Sequence, residues 1–242
     1  MDRILTLLSW GDHGWLDELA SGAAVTISLA LATLPFGLAL GLAMALLKRS
    51  DLAWVRALGT AYTTVFRGVP ELLTLYIVYF GLQIGLQTAW KGLGFSGSIE
   101  MPAFVAGMIA LGLVLAAFSC EVWIGALNAI PRGQREGAYA LGLSKGLTFR
   151  LVVMPQLLRV ALPGLGNNWM VLLKETSLIS VIALPDLMFW TGRANVVTKE
   201  PFLFFGVACL IYLVFSLLSA WGLSGLETRA NRGIASGAGG QR

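Results

Sequence analysis

Charge is scarce in this sequence. Of 242 residues only 12% are Asp, Glu, Lys or Arg, against 57% apolar. A soluble domain cannot bury that much apolar surface, whereas a chain solvated by lipid can. Cysteine and histidine are nearly missing. The two cysteines, Cys120 and Cys209, fall inside apolar runs, which argues against a disulfide framework and reads as small packing residues. One histidine, His13, does not make a metal centre. No Gly-x-x-x-x-Gly-Lys-Ser/Thr loop occurs, so the chain cannot cradle ATP in the P-loop manner. A hydrolase elbow, a zinc His/Glu cluster and a framed carboxylate pair are missing too. The chain therefore reads as a non-enzyme with no cofactor or metal of its own. Nor is a cleavable signal peptide expected: the first twenty residues carry acidic groups and no long apolar core.

What the sequence does have is long apolar runs. Residues 22–47 hold no charge over 26 positions, 72–90 and 102–120 hold none over 19 each, and 202–226 none over 25. About 20 helical residues cross about 30 Å of hydrocarbon. A further apolar run, residues 160–184, carries Lys174 and Glu175 in its middle. Mean hydropathy is +0.76. The expected fold is an all-α integral membrane protein of about five transmembrane helices. Residues 1–21 read as an interfacial segment with Trp10 and Trp15 at headgroup level, 22–228 as the transmembrane domain, and 229–242 as a flexible cytoplasmic tail.

The basic residues sort by connection. Lys48, Arg49 and Arg56 follow the first run; Arg132, Arg135, Lys145, Arg150 and Arg159 follow the third; Arg229, Arg232 and Arg242 follow the last. These 11 outnumber the 4 on the alternate side, Arg3, Lys91, Arg193 and Lys199. Cytoplasmic connections carry the excess of Lys and Arg, so the N-terminus is expected outside and the C-terminus in the cytoplasm. The net charge of +4 is then a matter of topology, and nucleic-acid binding is not expected.

One cytoplasmic connection, residues 131–159, is long. Residues 134–141 predict a short helix, Gly142 a turn, and 145–153 a second short helix closed by Pro155. Its apolar residues, Ala138, Ala140, Leu141 and Leu143, need cover. Either the loop folds back on its own bundle or it docks against another protein.

The same stretch resembles the "EAA" motif of binding-protein-dependent ABC importer permeases. That motif runs Glu-Ala-Ala, three residues, Gly, nine residues, Ile, one residue, Leu-Pro. Here Glu136-Gly137-Ala138, Gly142, Val152 and Met154-Pro155 keep the spacing. The resemblance implies a type I ABC importer permease fold and a coupling helix that fits a separate ATPase, with Glu136, Gly137, Ala138, Gly142 and Pro155 as coupling residues. Residues 62–73, YTTVFRGVPELL, are similar to the Phe-Arg-Gly-x-Pro signature of polar amino-acid permeases. Residues 162–180 and the Glu200-Pro201-Phe202 run are similar to the Q-type subunits of histidine, lysine/arginine/ornithine and opine importers. Ile124 stands where the family often carries arginine in Glu-x-x-Arg-Gly. The implied partners are an ABC ATPase that binds ATP and Mg, a sister permease in a heterodimer or a second copy of this chain in a homodimer, an extracytoplasmic solute-binding protein and a small amino acid. The implied place is the bacterial inner membrane. A self-sufficient ion-coupled amino-acid transporter is the rival reading, although no inverted repeat is visible.

Charged groups at membrane depth are costly unless they face a cavity or one another. Glu121, Lys174, Glu175 and Arg67 are such groups. Glu121 or Glu175 can meet the cation of a basic substrate; alternatively Arg67 and Lys174 pair with Glu71, Glu121 or Glu175 inside the bundle. Asn167 and Asn168, beside Gly164 and Gly166, either line a pathway in a broken helix or bond between spans. The pairs Gly37/Gly41 and Gly81/Gly85 carry little weight in a chain with 29 glycines.

Overall fold

The computed structural model describes residues 2–11 and 13–231. The assigned tail beyond Asn231 lies outside them. Five helical stretches are long and apolar enough to cross a membrane: Leu16–Lys48, Glu71–Gly92, Ala103–Ala129, Lys145–Ile182 and Pro201–Asn231. In chain order the α-helices are α1 (Asp2–Leu7), α2 (Leu16–Lys48), α3 (Ala53–Gly68), α4 (Glu71–Gly92), α5 (Ala103–Ala129), α6 (Arg132–Ala140), α7 (Lys145–Thr148), α8 (Met154–Glu175), α9 (Leu187–Thr198) and α10 (Pro201–Asn231). A π-turn, Phe149–Val153, joins α7 to α8, and a 3-10 segment, Thr176–Ile182, continues α8.

The bundle is built around α5, the most buried of the five spans, with α2 lying along it. Small residues make that approach possible. A Cβ on Gly37 would lie 2.5 Å from Leu115, and one on Gly41 would lie 2.1 Å from the Ser119 hydroxyl. Gly37 and Gly41 thus form a true helix contact, more than the sequence alone supported, while Gly81 and Gly85 face open space. Close approach lets dispersion and backbone contacts hold helices together where lipid removes the hydrophobic drive. Trp123 Nε1 then donates to the Leu38 carbonyl at 3.1 Å.

Three local features depart from the sequence expectation. First, α2 starts at Leu16, and Trp15 meets Phe204 of α10 edge-on with ring centres 6.3 Å apart, so Trp15 helps join the chain's first and last spans. Second, α3 forms between spans one and two and lies on α2 and α5. It buries Gly59 and Thr63 and exposes Trp54, Leu58 and Val65. Tyr62 on it donates to the Leu113 carbonyl at 2.7 Å. Third, the second short helix is not separate. Pro155 does not close it; the π-turn carries α7 into the fourth span, with the Met154 amide reaching back to the Phe149 carbonyl. A wide turn ahead of a residue with no N–H lets the helix run on without a lost bond.

The fourth span is also unbroken at its glycines. Gly164 and Gly166 instead serve close contact, since a Cβ on them would meet Val122 at 2.6 Å and Leu223 at 3.2 Å. The change of pitch comes later, at Thr176, just after Lys174 and Glu175. The α6–α7 connection sits at one end of α5, and the α4–α5 connection sits at the other.

Candidate functional site

The α6–α7 connection is organised by one glycine. Gly142 has φ +80°, a left-handed value open to glycine. Its amide reaches the Tyr139 carbonyl at 2.9 Å, and the Leu143 amide reaches the Ala138 carbonyl at 3.1 Å. That pair of bonds is a Schellman closure of α6. Two residues on, Ser144 accepts the Leu147 amide and starts α7. The motif spacing thus sets two helix ends back to back across a tight turn.

The turn has an inner and an outer face. Ala138, Thr148 and Val153 are buried against the bundle. Arg135 donates to the Leu127 carbonyl at the end of α5. On the outer face Leu141 is 85% exposed, with Glu136, Gly137, Tyr139 and Leu147 also exposed. Both alternatives read from the sequence therefore have a share of the turn: one side folds back, and the other presents an apolar tip outside the spans. Pro155 is exposed at the start of α8, well beyond this tip in the chain.

The charged residues at membrane depth separate into two groups. Glu121 on α5 accepts from Lys48 at 2.7 Å and lies 3.5 Å from Arg67. Lys48 also donates to Thr63 at 3.2 Å, and Arg67 lies over the Phe118 ring at 5.6 Å. One carboxylate thereby joins the end of α2, α3 and α5. Lys48 reads in sequence as a loop cation, and a pair 73 residues apart leaves no periodic signal that could reveal it.

Glu175, at the end of α8, has the carboxyl of Glu71, at the start of α4, as an acidic neighbour. Both are partly exposed, and Lys174 is the chain neighbour of Glu175. Lys174 points elsewhere: it lines a cavity of about 260 Å³ with Ser177, Cys209 and Tyr212. Asn168 is buried with its amide nitrogen unpaired among the described residues, while Asn167 is exposed. Glu121 and Glu175 therefore do not share one site.

Asp186 carries no signal of a role in the sequence. It is fully buried, caps α9 by accepting the Phe189 amide at 2.8 Å, and has its second oxygen unpaired among the described residues. Burial pushes its pKa up to about 7. Thr26 accepts the neighbouring Leu187 amide, so this corner ties α9 to α2. Among the described residues no group of three His, Cys, Asp or Glu side chains is placed to hold a metal ion.

Residues 37–232 match the family described as binding-protein-dependent transport system inner membrane component. The chain is 45% identical to the nopaline transport system permease protein NocQ of Agrobacterium fabrum, over 96% of this chain and 99% of that protein. It is 42% identical to the arginine ABC transporter permease protein ArtQ of Escherichia coli, over 88% and 95%. A crystal structure of an amino acid ABC transporter with histidines superposes with a TM-score of 0.74 at 31% identity, covering 89% of this chain and 95% of that one.

Proposed function

Because the chain belongs to the family of binding-protein-dependent transport system inner membrane components, we infer that it is a permease subunit of an ABC importer for polar amino acids or opines. It is a multi-pass inner-membrane protein and the membrane component of the system, not its catalytic subunit. The observation that carries the reading is the turn at Gly142, which holds Leu141 out of the bundle beyond the membrane spans. An exposed leucine on a turn clamped at both ends suits a groove in another protein. ATP and its Mg²⁺ belong to that partner, an ABC ATPase, and the turn passes its motion to the spans.

The α6–α7 turn faces the cytoplasm, with the N-terminus outside, as the excess of Lys and Arg on that side requires. One chain supplies one half of the pathway. A sister permease supplies the other, and a solute-binding protein delivers the amino acid from outside. Basic amino acids and opines are the favoured substrates, the class named for the nopaline and arginine permeases to which the chain is 45% and 42% identical. The self-sufficient transporter finds no support, since relatives at 42% and 45% identity are transport-system permeases.

Cysteine cross-linking tests the coupling contact. Leu141→Cys should cross-link to an ABC ATPase in membranes and lose the cross-link when Gly142 is also made proline. A product with no ATPase, or labelling of Leu141→Cys only from outside, would sink the reading.

A further inference from the structure

Three cations surround one small hollow behind the α6–α7 turn. Arg49, just past the end of α2, Arg135 of α6 and Lys145 of α7 line a cavity of about 160 Å³. Arg49 donates to the Asn128 amide oxygen, and Arg135 to the Leu127 carbonyl at 3.4 Å. Both acceptors are neutral. Among the described residues none of the three cations makes an ion pair, and no carboxylate lines the hollow. Asp51 and Glu136, the acidic residues nearest in sequence, are exposed and stand outside the lining. Like charges gathered in this way repel one another, and an anion between them reverses the sign.

A second observation points into the same hollow. Thr148 lines it and is 1% exposed, yet its hydroxyl has no partner among the described residues. A helical threonine ordinarily bonds a carbonyl three or four residues back. Thr26, Thr63 and Thr191 do so in this chain. The Arg135 Nε–H is buried and unpaired as well. Two buried donors thus lack an acceptor beside a concentration of positive charge, and such donors are costly until one arrives.

Depth and shape narrow the ligand. Leu46 and Leu127, in the last turns of α2 and α5, also line the hollow. The hollow therefore lies where two spans end, at the level of lipid headgroups. Basic pockets between helices at that level suit phosphate. The tetrahedral oxygens of a phosphate meet donors from several directions, and arginine forks match them; a carboxylate presents two oxygens in one plane.

We propose that this hollow binds a phosphate group, carried by an anionic lipid headgroup or free in solution, and that the bound anion ties the α6–α7 turn to the ends of α2 and α5. Arg49, Arg135, Lys145 and the Thr148 hydroxyl are its donors. Binding is measured on the chain alone, so its failure leaves the importer reading untouched.

The test follows the melting temperature of the full chain in a neutral detergent. Inorganic phosphate is titrated against chloride at matched ionic strength. Phosphate should raise the melting temperature to a plateau, and chloride should not. Lys145→Gln alters an exposed side chain and should raise half-saturating phosphate about tenfold. Thr148→Val removes a donor that has no partner, so it should melt no lower than the wild type without phosphate. It should still raise half-saturation about threefold to tenfold. A second arm adds phosphatidylglycerol to the micelles in phosphate-free buffer, against phosphatidylcholine, whose own cation stands beside its phosphate. A shift with phosphatidylglycerol that Lys145→Gln removes assigns the site to lipid. A shift with inorganic phosphate alone assigns it to a free phosphate. No shift in either arm, or equal shifts in the wild type and Lys145→Gln, would overturn the site. An equal shift with acetate would make the hollow a seat for an acidic side chain of a partner protein, and would overturn the phosphate assignment.

Discussion

Lys48 and Glu121 lie 2.7 Å apart, nitrogen to oxygen, although 73 residues separate them in the chain. The lysine side chain is 17% exposed and the carboxylate 38%. Arg67 approaches the same oxygen at 3.5 Å. A carboxylate between two cations is occupied, so a third cation, that of a substrate, has to displace one of them. Glu121→Gln should therefore leave Lys48 and Arg67 without a counter-charge and destabilise the fold by about 1–3 kcal/mol, between the values for exposed and buried pairs. The expected result is lower membrane abundance and an equal loss of uptake for basic and neutral substrates. Normal abundance with loss of basic substrates alone would place Glu121 in the pathway.

Gly41→Leu should prevent α2 from lying on α5. The first added carbon would come within 2.9 Å of the Ala116 carbonyl, a backbone atom that cannot turn aside. Overpacking of this kind costs about 1–3 kcal/mol. Gly81→Leu places its side chain in open space and should be neutral. Thermal unfolding of the two variants in one detergent compares them directly. Equal melting temperatures would show that the close approach is not needed.

These two pairs mark where the sequence is legible. The spans are readable because charge-free length is a local property, and the α6–α7 turn because its glycine and caps lie within a dozen residues. The ion pair and the Gly37/Gly41 contact depend on which helices become neighbours, and that is not written in any one segment. Helix α3 has no clear mark in the sequence because Arg56, Arg67 and two glycines break its apolar pattern, and because 16 residues fall short of a span. The path of the fourth span past Pro155 was missed because the π-turn has no compositional mark. Of the candidate residues, Glu136, Gly137, Ala138 and Gly142 are legible as one local turn. Glu121 and Glu175 were legible only as costly charges, since their neighbours, Lys48 and Glu71, come from distant segments.

Gly142→Ala should weaken coupling rather than insertion. A side chain at φ +80° costs about 1–2 kcal/mol of local strain, and the Schellman bonds oppose any relaxation. The tip would move while the spans stay intact. Membrane abundance should equal that of the wild type, while uptake and stimulated ATP hydrolysis fall together. Full uptake would show that the turn tolerates another shape.

Asp186 should make stability depend on pH. Its carboxyl keeps its proton in the fold up to about pH 7, well above its ordinary value near 3.8. Below both values the proton is bound in either state, and burial carries no penalty. As pH rises between them the unfolded chain releases the proton and the fold does not, so stability falls, by at most about 1.4 kcal/mol per unit, and levels off above about 7. Asp186→Asn can still accept the Phe189 amide and should remove that slope. Melting temperatures of both proteins at pH 5 and pH 8 read the effect. A wild type that is more stable at pH 8, or an Asn variant with the same slope, would contradict it.

The central claim is that this chain forms half of an amino-acid pathway driven by a separate ATPase through the turn at Gly142. The most direct measurement is uptake of labelled arginine into proteoliposomes that hold the chain, a sister permease and an ABC ATPase, with the solute-binding protein outside and ATP sealed within. The account predicts uptake that needs ATP inside and every one of the four proteins, and that is lost with Gly142→Pro at unchanged protein content. Uptake that persists without the ATPase and follows an ion gradient, or uptake unaffected by Gly142→Pro, would contradict it.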